Sequence, residues 1–302
     1  MLDFFSRIYA LLVEAGQRWA TDNATLLAAG LAYFTLLSIG PLLLLAIAIA
    51  SIVFAEAAVE GQVVAAIGDA VGTDVATLVE NIIRATSQRG GTVQATVLSS
   101  LLLIYTASRV FNQLKWALNT VWGIVQDEQP LIRSIVLFAQ TQLLSFLMVL
   151  VVGFFLLLSI SANATLTALG GELAPVWSGA AGVLVRFETF ISFGILILLF
   201  GLIFRFLPDA TIEWRDVWLG ALVTAVLFSI GEFGLSLYLV NGSVGSAYGA
   251  AGAVIVILIW VFYSAQIILY GAEFTFVYAK RFGSRIKVDS RMRLVEKGVP
   301  IP

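Results

Sequence analysis

The side chains of this sequence that could do chemistry inside an apolar phase are few. Between Val217 and Val240 the one charged group is Glu232, and between Ala247 and Ala279 it is Glu273. Arg186 and Glu188 stand near the start of another apolar run, and Arg109 stands at the end of a fourth. A charge at bilayer depth is costly, so such groups face the protein interior or a wet cavity. Counted at about 1.5 Å per residue from the outer helix ends, Glu232 lies roughly 12 Å deep, Glu188 roughly 8 Å and Arg186 roughly 5 Å. These three are expected to form a polar centre in an outward-facing cavity, open to the head group of an amphipathic substrate or to a coupling proton. The plainer expectation is an ion pair that fixes helix register, with Arg186 stretching to the interface. Glu273 and Arg109 sit at similar depths near the inner face and are expected to pair or to line a cytoplasmic vestibule.

Other chemistries lack their residues. The chain has no cysteine and no histidine, which removes disulfides, thiol nucleophiles, the commonest metal ligand and the commonest general base. A nuclease would need clustered metal ligands, and the acidic groups are scattered. There is no Gly-rich loop ending in Gly-Lys-Ser/Thr for ATP, and no paired intramembrane aspartates or Ser/His pair for proteolysis. No catalytic residue, metal site or cofactor is expected, and the protein is read as non-enzymatic. A net charge of -2 gives no bulk attraction to nucleic acid, so the expected partners are membrane lipids.

The elements that must position these residues are membrane helices. With 60% hydrophobic and 12% charged residues and a mean hydropathy of +0.99, the composition is that of an integral membrane protein. The expected fold is all-α and polytopic, with six spans at about 24–54, 93–110, 134–159, 182–206, 217–240 and 247–279, each judged against the roughly 20 apolar residues that cross a bilayer. Residues 1–23 read as an amphipathic interfacial helix: Leu2, Phe5, Ile8, Leu12, Ala15 and Trp19 on one side, Asp3, Arg7, Glu14, Gln17 and Arg18 on the other. Residues 55–91 read as an extracytoplasmic helical hairpin. Lys115, Trp116 and Trp122 suggest that the second span continues along the interface. Residues 283–302 form a basic tail, read as solvated. No cleavable signal peptide is expected.

Pro41 inside the first span should kink it, which makes it a hinge candidate. Gly245, Gly249 and Ala253 recur every four residues and line a face where another helix backbone can approach. Such seams permit a homodimer.

Orientation comes from the basic residues. With the amino terminus in the cytoplasm, Arg7, Arg18, Arg109, Lys115, Arg133, Arg205, Arg215 and the basic residues from Lys280 to Lys297 fall inside, leaving Arg84, Arg89 and Arg186 outside. That asymmetry predicts both termini in the cytoplasm.

Six strings carry a resemblance: Ala28 to Pro41 (AAGLAYFTLLSIGP), Ser108 to Trp122 (SRVFNQLKWALNTVW), Arg205-Phe206-Leu207-Pro208, Gly231-Glu232, the Tyr248 to Gly252 segment, and Tyr270-Gly271-Ala272-Glu273. The chain resembles, from about Leu26 to Phe282, the YihY/BrkB family of bacterial inner-membrane proteins, once labelled ribonuclease BN. The resemblance implies a multi-pass inner-membrane protein, with members suspected of envelope lipid movement, and brings no agreed set of functional residues. The leading expectation is a transporter or flippase-like translocator of a lipid or other amphipathic anion. The alternative is a non-transporting scaffold; a ribonuclease fits least.

Overall fold

The computed structural model describes residues 2–50, 109–126, 180–241, 250–283, 287–288 and 292–294, with isolated positions between 61 and 81 and at 105 and 147. Helix α1 is Leu2–Thr21 and α2 is Ala24–Ala50. Helix α3 is described over 109–121. Then come α4 (Ala180–Phe206), α5 (Trp214–Asn241) and α6 (Ala250–Arg281). Three of these hold stretches long and apolar enough to cross a membrane: Thr189–Phe206, Trp214–Leu235 and Val254–Arg281. The α1/α2 pair qualifies as a fourth, bent by 68°. The expected hairpin at 55–91, most of the span at 93–110 and the span at 134–159 lie outside the described residues, as do Gly245 and Gly249.

Local chemistry sets the element ends. Asn23 takes a left-handed backbone (φ 52°), which stops α1; its carbonyl then accepts from the Leu26 and Leu27 amides and starts α2. Helix α2 stays helical through Pro41, and the bend of this pair lies earlier, at residues 22–23. Gly123 (φ 66°) closes α3, its amide donating to the Thr120 carbonyl. Pro208 ends α4.

Helices α5 and α6 run antiparallel and pack closely, glycine backbone against side chain. A Cβ on Gly220 would collide with Thr275, and one on Gly271 with Thr224, so each glycine receives a threonine of the other helix. Each threonine hydroxyl is satisfied within its own helix: Thr224 Oγ1 donates to the Gly220 carbonyl at 2.7 Å and Thr275 Oγ1 to Gly271 at 2.7 Å. The side chain at the contact is thereby free of unmet polar demand. Further along, Gly231 admits the Tyr263 ring, and Gly283, just past α6, admits the buried Asp216 carboxylate at the start of α5.

Two findings differ from the sequence reading. Helix α3 buries Phe111, Leu114, Ala117, Leu118 and Val121 in the main core while leaving Trp116 exposed, a packing role that the reading of an interfacial continuation did not include. The basic tail, expected to be solvated, supplies two strands. With β1 (Ile124–Gln126), β2 (Ala210–Thr211), β3 (Lys287–Val288) and β4 (Met292–Leu294), the pairs are β1·β4 and β2·β3, both antiparallel. Ile124 faces Leu294 and Ala210 faces Val288. Backbone hydrogen bonding to the two loops outweighs the side chains' preference for water.

The Gly/Thr contact gives a direct expectation. Gly220→Ala or Gly271→Ala should lower stability by ~1–3 kcal/mol through overpacking, whereas Gly234→Ala, with open space around it, should not. Thermal unfolding of the purified variants in detergent measures the difference.

Candidate functional site

Three of the six family-like strings, Ser108 to Trp122, Arg205 to Pro208 and Tyr270 to Glu273, come together at one end of the bundle, the base, where α1, the ends of α3 and α6, and the α4/α5 turn meet. Glu273 lies at its centre, fully buried on α6. Arg18 of α1 donates from Nε to Glu273 Oε2 at 2.9 Å. The same guanidinium donates from Nη2 to the Val121 carbonyl at 3.3 Å and lies 4.3 Å from the centre of the Phe276 ring. Trp122, also fully buried, donates its indole N–H to the Ala272 carbonyl at 2.9 Å. Tyr270 donates to the Leu12 carbonyl at 2.9 Å. Thus one turn of α6, Tyr270 to Glu273, is bonded to α1 and to the end of α3.

A second cluster pins the α4/α5 turn to α3. Asp209 accepts from Lys115 Nζ at 2.8 Å and from Asn119 Nδ2 at 2.8 Å, while its own amide donates to Asn119 Oδ1 at 2.9 Å. The Asn and Asp therefore bond reciprocally, which fixes both orientation and distance. Arg205 reaches across the turn to the Ile212 carbonyl and lies 5.9 Å from the Trp214 ring centre. Trp214 stacks on Trp218 and meets the edge of Phe206, and all three are exposed. An exposed aromatic run beside arginine is what a membrane interface accommodates.

The expected pairs fare differently. Glu273 takes Arg18, not Arg109, as its partner. Arg109 instead lies against the rings of Phe34 (5.7 Å) and Tyr105 (5.6 Å). Arg109 stands at the start of α3, twelve residues or about 18 Å before Val121, whose carbonyl shares Arg18 with Glu273, so the two expected partners differ in depth. Arg18 was assigned to the polar side of α1; it stands on the packed side, because Leu11, Ala15, Arg18 and Asp22 follow one another at helical spacing and the first two are buried against Phe274 and Val277. That spacing was the available signal for Arg18 and Asp22. Glu232 stands on α5 as an exposed residue. The side chains of Arg186, Glu188, Pro41 and Ala253 lie outside the described residues, so their grouping with Glu232 is not addressed.

Among the described residues no cluster of three or more metal-ligating side chains occurs. The architecture, with three or four helices long and apolar enough to cross a membrane among the described residues, defines a mostly helical membrane protein. The chain belongs to the family described as Virulence factor BrkB, whose sequence profile matches residues 15–293. It is similar to curated relatives named UPF0761 membrane proteins. That of Alteromonas mediterranea is 26% identical over 283 residues, covering 93% of this chain and 91% of the relative. That of Vibrio atlanticus is 29% identical over 272 residues, covering 85% and 79%, and that of Cronobacter sakazakii 27% over 261 residues, covering 84% and 83%. No solved structure matches the chain significantly.

The buried pair predicts a non-additive mutational pattern. Arg18→Met leaves the Glu273 carboxylate buried without its cation and should cost ~3 kcal/mol, while adding Glu273→Leu should recover most of that loss. Unfolding midpoints of the two variants and the native protein test it.

Proposed function

We propose that this protein is a six-span, non-enzymatic translocator of the bacterial inner membrane, with both termini in the cytoplasm, that moves a lipid or other amphipathic anion. The observation that carries the reading is Glu232, an exposed carboxylate in a run of α5 without any other charge between Val217 and Val240. An ionisable group so placed is a functional-site candidate by default, since lipid chains give it no solvation.

The burial pattern supports the same reading. Near the base, α4 buries Phe200, Gly201, Ile203 and Phe204, and α5 buries Val217, Gly220, Ala221, Thr224 and Ala225. Toward the other end, Phe190 of α4 and Ile230, Glu232, Phe233 and Leu237 of α5 are exposed. Among the described residues, then, these two helices are closed at the base and open away from it. They are neighbours: Gly201 abuts Trp218 and Ala221, and Phe200 meets the edge of Phe228 at 5.6 Å. At 1.5 Å per residue, Arg186 and Glu232 stand about 30 Å and about 27 Å along their helices from the shared turn. They reach matching heights, so a cation from α4 and a carboxylate from α5 could present themselves together to a zwitterionic or anionic head group. Glu188 adds a second carboxylate on α4. With the amino terminus inside, this group faces outward and the base lies in the cytoplasm.

Lipid movement between leaflets, followed by a fluorescent lipid quenched only from outside liposomes holding the purified protein, tests the proposal. Faster loss of signal than in empty liposomes is expected, with Glu232→Gln slowing it at least several-fold while the variant keeps its unfolding midpoint. Equal rates with and without folded protein favour the scaffold reading.

A further inference from the structure

The turn between α4 and α5 carries an uncompensated positive charge. Five charged side chains lie from Arg205 to Asp216. Asp209 is engaged by Lys115 and Asn119, and Asp216 is buried against Gly283. There remain Arg205, half-buried, with Glu213 and Arg215, both exposed: two cations and one anion. Arg205 is held in place, since its Nη1 donates to the Ile212 carbonyl and its guanidinium lies 5.9 Å from the Trp214 ring centre. Its other N–H groups, and those of the Arg215 side chain, meet no acceptor among the described residues. These cations stand at the head of an apolar face. Trp214, Trp218, Leu222, Val226 and Ile230 recur every four residues along α5, and all are exposed. Trp214 stacks on Trp218 with ring centres 5.8 Å apart, and Arg215, three residues before Trp218, is its neighbour on the helix surface. From Trp218 to Ile230 the face runs about 18 Å, close to the roughly 15 Å of hydrocarbon in one leaflet.

We propose that this corner binds one anionic phospholipid of the leaflet at the base, its phosphate held by Arg205 and Arg215 and an acyl chain lying along Trp218, Leu222, Val226 and Ile230. Arginine suits a phosphate because its fork of N–H groups meets two oxygens at once. A head group with a single negative charge neutralises Arg205, Arg215 and Glu213 taken together, whereas a zwitterionic one leaves their positive charge in place. The guanidinium of Arg205, already fixed by a carbonyl and a ring, loses little freedom on binding. That separates it from an arginine that merely extends to the interface. The bound lipid ties the α4/α5 turn to the membrane at the end where the helices are most tightly packed. This inference does not rest on the translocation reading, since the site lies at the opposite end of α5 from Glu232.

The test uses the full chain in detergent, with phosphatidylglycerol and phosphatidylcholine added in equal amounts and the retained lipids counted by native mass spectrometry. The native chain should keep a phosphatidylglycerol under conditions that strip phosphatidylcholine. Arg215→Gln should cut that retention about five-fold, the factor expected for one basic residue at an anionic surface, with its unfolding midpoint unchanged. Arg281→Gln removes another exposed cation of the base, one already engaged by Glu14 at 3.3 Å, and should leave retention intact. In bilayers, brominated phosphatidylglycerol should quench the tryptophan fluorescence more than brominated phosphatidylcholine does, and the excess should vanish in Trp214→Phe/Trp218→Phe. Equal effects of the two arginine substitutions, or an excess of quenching that survives the double variant, would overturn the inference. So would equal retention of the two lipids by the native chain, which would leave an ordinary aromatic belt; that reading stands even if a variant does not fold.

Discussion

A carboxylate removed from water must be met by a cation and by donors, or its burial costs several kcal/mol. Glu273 imposes that condition on the last long helix, and no residue of α6 near it can meet it. The cation comes from α1, a helix far from α6 in the sequence. Once Arg18 is committed, the position of α1 on α6 is set, and with it the 68° bend into α2. The same guanidinium uses the carbonyl at the end of α3. One ion pair therefore places three helices that are far apart in the sequence.

Packing between the remaining helices works by a different force. Within a bilayer, burying apolar surface against another helix gains little over burying it in lipid, so association relies on close contact. The Gly220/Thr275 and Gly271/Thr224 exchanges bring α5 and α6 together near the base. Beyond them, α4 and α5 show progressively more of their surface. Among the described residues, these helices combine a tightly bonded end with a more exposed one.

Much of this was legible in the sequence, and what was not has physical reasons. The apolar lengths of α4, α5 and α6 are visible in composition alone, and their ends were placed within a few residues because Pro208 and the charges around it punctuate them. Counting from apolar lengths sets Glu273 and Arg109 at similar depths, but the helix continues past Arg109, and Val121, twelve residues or about 18 Å further on, is the α3 residue at the level of Glu273. The direction in which each points depends on neighbours, and counting cannot supply it. Arg18 was misassigned because a charge on a short amphipathic helix normally marks its wet face, and here the packed stripe itself carries the charge. The strands of the tail had no pattern to read: two or three residues each, specified by loops at Ile124 and Ala210 rather than by their own sequence. Glu232 was recognisable as an isolated charge, while its companions are matters of tertiary placement.

The two small ladders carry a consequence for biogenesis. Residues 292–294 pair with 124–126, and 287–288 with 210–211. During synthesis the loops after α3 and α4 emerge long before their partner strands exist. Their edges stay unpaired while α5 and α6 are still being inserted, and contacts this distant in sequence form late and slowly. Sealing of the base is thus the closing act of assembly, and it reports that every described helix before it has already found its place.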